Sequence, residues 1–416
     1  SVTIEFETAE VNYDYFNYST DNTQITGLSN YYNSLETKPE TLIIPSKAQD
    51  GTNVTSIMKI GPTLESTNVI IQEGIINLTT NFLMNSLTVE KVVLPNTIVT
   101  IGNYCFSFCD SLINIVIPSS VKTIGDNSFS ACNSLETLYI ENGLENIGNN
   151  SFTNLPILNL DIPNSVRVIG ESSFSGNFYL ETLTIANGVT TIGESAFIFL
   201  GQINESLEKI VIPNSVTSIG EGAFENSYAF TLELEEGNQN YVMENGVLYD
   251  KNKTTVLWVD RSITEVNLPQ TLTKIGNSAF SYCNIRNNPA IPSNVTTIGN
   301  HAFDHCEHFT TLTFEENSKL TTIGDYAFYE TWGLRDVVIP ESVLTIGNDA
   351  FNNRFMETIT LYSVSPPSLS GELFYDFENG AGGHPIRNIY VPAEAVDAYK
   401  AASGWSDYAD LISAIQ

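Results

Sequence analysis

The chain has 416 residues, 42% of them hydrophobic, enough for a large core. Forty-eight acidic residues stand against 17 basic ones, a formal net charge of −31 that argues against nucleic acid or anionic lipid as a partner, since both need positive charge. Apolar residues recur throughout, which argues against disorder, and no run of 18 of them occurs, so no membrane span is expected.

The first residue is Ser1, with neither a Met nor an apolar signal core after it, which reads as a mature or trimmed chain. Residues 1–40 do not repeat. "VTIEF" (2–6) alternates like a strand, and "YDYFNYSTDNTQITG" (13–27) reads as a second strand with a polar turn, together an N-terminal β cap. Residues 41–86 hold two degenerate repeats, "LIIPSKAQDGTNVTSI" (42–57) and "VIIQEGIINLTTNFLMN" (69–85).

Regular repeats fill 87–228 and 263–361. Each carries the phrase Ile-Gly-(Asn/Asp/Glu)-x-(Cys/Ser/Ala)-Phe, which begins at Ile101, Ile124, Ile147, Ile169, Ile192, Ile219, Ile275, Ile298, Ile323 and Ile346. Most spacings are 22, 23 or 25 residues, with one of 27 and one of 56, and a period of 20–29 is that of leucine-rich repeats. The Gly is expected to allow a sharp turn, the Asn or Asp after it to cap a short helical turn, and the Phe to enter a core column shared by stacked coils. Before each phrase stands aliphatic-x-x-aliphatic-x-aliphatic, as in "LINIVIP" (112–118) and "LRDVVIP" (334–340). Its end has strand periodicity, and one strand per coil stacks into a parallel sheet.

The long gap, 229–262, holds "NG" before "VLYD", then "KNK" and "TTVLWV", which reads as a β-hairpin projecting from one coil. Residues 362–416 form the last coil, broken by the loop "ENGAGGHP" (378–385), and a cap with a helix candidate "AEAVDAYKAA" (393–402). The predicted fold is therefore a repeat solenoid of the α/β leucine-rich-repeat type. It stacks coils of 22–25 residues, with a parallel β-sheet on one face, short helical turns on the other, one β-hairpin insertion and terminal caps.

"IPNSVTSIGEGAF" (212–224), "IPSSVKTIGDNSF" (117–129) and "IPSNVTTIGNHAF" (291–303) resemble the repeat of BspA-like leucine-rich repeat proteins, a resemblance that covers about 87–361. The tail "IYVPAEAVDAYKAASGW" (389–405) is similar to the end of family members from anaerobic gut and oral bacteria. The resemblance implies a secreted or surface-anchored bacterial protein that adheres to host extracellular-matrix proteins or to other cell-surface proteins or glycans. It brings no catalytic residues.

Chemistry-bearing residues give little else. Cys109, Cys132, Cys283 and Cys306 each follow a repeat Phe by three residues, and Cys105 fills the small slot before Phe106. They read as buried free thiols, with Cys109–Cys132 and Cys283–Cys306 close enough in neighbouring coils to leave a disulfide as the alternative. His301, His305 and His308 cluster around Asp304, and His301 and His305 have the spacing of helical zinc ligands, but these are variable slots of the repeat. No nucleophile elbow, phosphate loop or complete calcium loop occurs. The chain is read as a non-enzyme without cofactor, metal or catalytic residue.

The residues that alternate with the buried aliphatics should face outward on a concave sheet. Over twelve predicted strands, from Lys91 and Val93 to Asn388 and Tyr390, they include two Lys and three acidic residues, so this face is nearly neutral. Thr137, Tyr139, Thr182 and Thr184 are the candidate partner-binding residues, with the 241–259 hairpin as the competing site. The functional reading is a non-catalytic binding module at the cell surface or outside the cell, expected to be a monomer. The alternative is a structural spacer in a larger surface protein.

Overall fold

The computed structural model describes residues 10–203, 206–225, 230–373 and 388–415, and divides into two compact units, 1–236 and 237–416. The predicted strand at 2–6 and the loop at 378–385 lie outside the described residues.

A full coil has three stations: a long strand, a short strand and a run of turns. In the first unit the long strands Thr41–Ile44, Asn68–Ile71, Lys91–Val93, Asn114–Ile117 and Thr137–Ile140 form one parallel sheet. Parallel pairs follow, Asn159–Ile162 with Thr182–Ile185 and Lys209–Ile212 with Thr231–Leu234. The strand Thr231–Leu234 sits within the segment assigned on sequence to the insertion, although "FTLEL" carries the same alternation as its neighbours.

The fold is the expected solenoid, but two of its faces are sheet. The residues just before each Gly form two-residue strands such as Thr123–Ile124 and Thr191–Ile192, which pair in register from coil to coil. They extend a sheet begun by an antiparallel hairpin, Phe16–Tyr18 with Gln24–Leu28.

The expected helical turns after the Gly are absent. The residue two after the Gly has a positive φ in all ten phrases, for example 55° at Asn127, 51° at Ser195 and 53° at His301. A left-handed residue cannot continue a right-handed helix. Alternate amides instead donate to the next coil: Asn127 N–H to Asn149 O at 2.8 Å, Phe129 N–H to Ser151 O at 2.7 Å and Ala131 N–H to Thr153 O at 3.0 Å. The residue after the Gly likewise caps the following coil, not a helix. Asn103 Oδ1 accepts from Asp126 N–H at 2.9 Å, Asp126 Oδ1 from Asn149 N–H at 2.8 Å and Asn300 Oδ1 from Asp325 N–H at 2.9 Å.

The phrase Gly was expected to serve a sharp turn, yet none of the ten adopts a positive φ. Its role is close approach: a Cβ on Gly193 would lie 2.6 Å from Gly170 C and from Glu171 N. The small residue before the Phe packs on the same strip, where Ser128 Oγ donates to Gly102 O at 2.9 Å and Gly125 O at 2.6 Å.

The Phe column runs through the core of each unit. Phe106, Phe129, Phe152, Phe174, Phe197 and Phe224 stack face to face at 4.8–5.7 Å, as do Phe280, Phe303, Phe328 and Phe351 at 4.8–5.3 Å. Every ring is within a few per cent of complete burial, and each contributes about 1.5–3 kcal/mol of hydrophobic stabilisation.

In the second unit the insertion is a three-stranded antiparallel meander, Tyr241–Glu244, Val247–Asp250 and Thr255–Val259, where a single projecting hairpin was expected. Its third strand pairs in parallel with Lys274–Ile275 and so heads the short-strand sheet, which runs on to Ser368–Leu369. The C-terminal cap has a helix at Val396–Ala401, within the predicted segment, and the strand Ile412–Ala414 closes a parallel sheet. Tyr408 Oη accepts from Leu373 N–H at 3.0 Å, taking the place of the carbonyl that the next coil supplies elsewhere.

All five cysteines are free and buried, which settles the disulfide alternative. Cys132 Sγ donates to Phe106 O at 3.0 Å and Cys306 Sγ to Phe280 O at 2.9 Å, so each thiol points to a carbonyl of the preceding coil. Burial pushes Cys105, Cys132 and Cys283 up to about 12, and pushes Cys109 and Cys306 well above the ordinary thiol value. None carries the thiolate that reaction requires. A thiol reagent such as Ellman's should find no fast-reacting group in the native chain and five after denaturation; one native thiol reacting at the rate of a free one would contradict this packing.

Candidate binding face

Strand alternation sets out the four candidate residues. Thr137–Ile140 and Thr182–Ile185 bury Leu138, Ile140, Leu183 and Ile185 and expose Thr137, Tyr139, Thr182 and Thr184. Asn159 and Asp161 are exposed on the strand between them in the chain, and Thr182 Oγ1 donates to Asn159 Oδ1 at 2.6 Å. Tyr139 is 57% exposed and stands in register with Val116, which is 40% exposed. The face has few charges. Lys209 is neutralised by Glu233 at 3.0 Å, a pair the sequence reading missed because it did not count Thr231–Leu234 as a strand of this face.

The face is interrupted in the second unit. The predicted outward pairs Glu265/Asn267 and Asn288/Ala290 lie on no ladder, and the segment around Thr311 and Thr313 makes only isolated bridges, Ile291 with Phe314 and Leu312 with Val337. Two side chains account for this. Pro289 occupies a central strand slot and has no N–H to give. Asn287 takes both backbone groups of Val266: its Oδ1 accepts from Val266 N–H at 3.2 Å and its Nδ2 donates to Val266 O at 2.8 Å.

The histidine cluster lies on the turn face. His301 and His305 stand on left-handed residues of separate turns, so the helical spacing that suggested zinc ligands does not exist. Both Nδ1 atoms meet the buried Asp304, at 3.0 and 2.5 Å. His301 stacks on Tyr326 at 4.9 Å and His305 on Tyr282 at 4.4 Å. The Asp304 hydrogen bond raises the His305 pKa against the opposing effect of burial. Burial works to raise Asp304, but the hydrogen bonds from both imidazoles outweigh it and hold the carboxyl below its ordinary range. Among the described residues no group of three or more His, Cys, Asp or Glu side chains is placed to hold a metal ion.

A cleft of about 360 Å³ lies in the second unit, between the meander and the interrupted segment 265–269. Glu244, Asn245, Tyr249 and Lys253 line one side, and Glu265, Asn267 and Pro269 the other. No helix among the described residues is long and apolar enough to cross a membrane.

The profile of the BspA type leucine rich repeat region matches residues 63–158, 100–231, 199–245 and 257–379. Among solved structures the chain is similar to a leucine rich cell surface protein from Faecalibacterium prausnitzii, at 21% identity and a TM-score of 0.64, covering 97% of both chains. It is also similar to the pneumococcal vaccine antigen PcpA, at 17% identity and a TM-score of 0.52, covering 98% of both. At these identities the likeness concerns the fold. No curated protein matches the chain.

Proposed function

Because this chain belongs to the BspA-type leucine-rich repeat family, we propose that it is a non-catalytic binding module at the cell surface or outside the cell, which holds a protein or glycan partner on the long-strand face of its first unit. The observation that carries this is Tyr139, a large amphipathic ring more than half exposed on the last strand of the five-stranded sheet, beside Thr137 and Val116, with Thr182 and Thr184 exposed on the separate strand pair that follows. Tyr offers contact area at low entropic cost and is enriched in interfaces. The face is almost uncharged while the chain carries −31, so a neutral partner meets little desolvation cost there. A surface location agrees with the description of the Faecalibacterium prausnitzii protein as a cell surface protein. A host extracellular-matrix protein, another cell-surface protein or a glycan fits this reading, and nothing in it requires a cofactor.

The test is binding to an array of matrix proteins, cell-surface proteins and glycans, by wild type and by the double variant Tyr139→Lys/Thr182→Lys. Both side chains point to solvent, so the melting temperature should hold while affinity for the bound partner falls about tenfold or more, the loss of about 1.4 kcal/mol. Normal binding by this variant, with loss on changes in 241–259, would move the site to the meander. No binding to any arrayed molecule would favour a spacer.

A further inference from the structure

The cleft in the second unit has features that packing alone does not use. Tyr249 lines it and is only 3% exposed, and its hydroxyl makes no hydrogen bond among the described residues. Glu265, on the opposite wall, makes no hydrogen bond or ion pair among them, and the carboxamides of Asn245 and Asn267 have no side-chain partner there. Glu244 is held by Lys253. The two carboxylates and the one ammonium leave a net −1 in the cleft, within a chain of −31.

From this geometry we infer that the cleft receives a Lys or Arg side chain carried on an extended segment of a protein partner. Glu265 is the carboxylate that meets the cation, Tyr249 offers its hydroxyl and the flank of its ring to the side-chain stem, and Asn245 and Asn267 hydrogen-bond the partner's backbone from the two walls. The cavity of about 360 Å³ is large enough for one long side chain with its neighbouring peptide groups. Charge complementarity selects the ligand class, because the chain's field draws cations and repels polyanions. Burial, with Glu244 second, pushes the Tyr249 phenol up to about 12, so it stays protonated and able to donate. This assignment rests on the chain being a binding module but not on which face binds first, since Tyr139 and Thr182 belong to the other unit.

The experiment is amide chemical-shift titration of the full chain with three probes: acetylated and amidated Gly-Arg-Gly, the same peptide with Glu in place of Arg, and spermidine. The Arg peptide should shift the amides of Val247, Tyr249, Val266 and Asn267. Glu265→Gln should weaken it about fivefold or more, by removing the cleft's one carboxylate without an ion-pair partner, whereas Glu136→Gln in the first unit should leave it unchanged. Tyr249→Phe, which keeps the ring, should also weaken binding, and the Glu peptide should not bind. Shifts spread over the acidic surface, or an affinity indifferent to Glu265→Gln, would overturn the site. Spermidine binding in the cleft as tightly as the peptide would overturn the peptide assignment, because it carries charge without a backbone. Failure of Tyr139→Lys/Thr182→Lys to affect array binding would count against the long-strand face and leave these results standing.

Discussion

Phe197→Ala is expected to destabilise the first unit by about 3–5 kcal/mol, the range for truncating a fully buried aromatic. Phe197 has no exposure, and it stacks between Phe174 at 5.6 Å and Phe224 at 5.7 Å with rings within 10° of parallel. The gap cannot close by a side-chain shift, because the backbone on either side is pinned. Phe174 N–H donates to Ala196 O at 2.9 Å and Phe197 N–H to Ala223 O at 2.8 Å. In a repeat stack each coil is stabilised chiefly by its neighbours, so the loss should be concentrated nearby. Urea denaturation followed by circular dichroism measures the overall loss, and hydrogen exchange at Phe174, Phe197 and Ala223 locates it. A loss below about 1 kcal/mol would mean that the column does not support the fold. Phe199→Ala, at a partly exposed ring two residues on, is the control and should cost much less.

Gly193→Ala should be nearly as damaging, at about 3 kcal/mol, the upper end for overpacking. The added methyl would lie 2.6 Å from Gly170 C, 2.7 Å from Gly170 O and 2.6 Å from Glu171 N, all of them backbone atoms with no rotamer to give. The coils must separate to admit it, which weakens the hydrogen bond from Gly193 N–H to Ile169 O, 2.9 Å in the native chain. Gly237→Ala is the contrast, since nothing lies within 4 Å of a Cβ there and only its φ of 84° opposes the change. Equal denaturation midpoints for wild type and Gly193→Ala would show that the coils are not in contact along this strip.

The period, the strand positions and the Phe column were legible because each depends on which residues are apolar and how far apart they stand. Ile124 and Phe129 recur at a fixed interval, and that alone implies stacking. The turns were misread because Gly followed by Asn or Asp has two physical readings. Either the side chain caps its own chain segment or, as Asp126 does for Asn149, it caps the following coil. Local sequence is the same in both, and only the distance to the neighbouring coil, set by the glycine strip, decides. The second sheet was hidden for a similar reason: two-residue strands such as Thr191–Ile192 are too short to show a period. The interruption around Val266 depends on Asn287, 21 residues away, a contact no local pattern carries. Of the candidate sites, the exposed positions of Thr137, Tyr139, Thr182 and Thr184 followed from alternation alone. The cleft did not, because it arises where the meander approaches the segment around Glu265.

Where the left-handed residues of the repeat phrases reach another coil, their amides donate the same way, to a carbonyl in the following coil, and at the end of the second unit Leu373 N–H is received by Tyr408. A stack built this way has chemically different ends. On the turn face the first coil offers bare carbonyl oxygens and the last coil bare amides, although short-strand amides such as Gly193 N–H donate to the preceding coil, so along that row the two lids cannot be exchanged. Extra coils can be spliced into the interior, where each leaves the row as it found it, but a chain cut after any coil needs a new terminus that brings its own oxygen atoms. Shortened or lengthened versions of this protein should therefore keep the Tyr408 segment attached to whichever coil comes last.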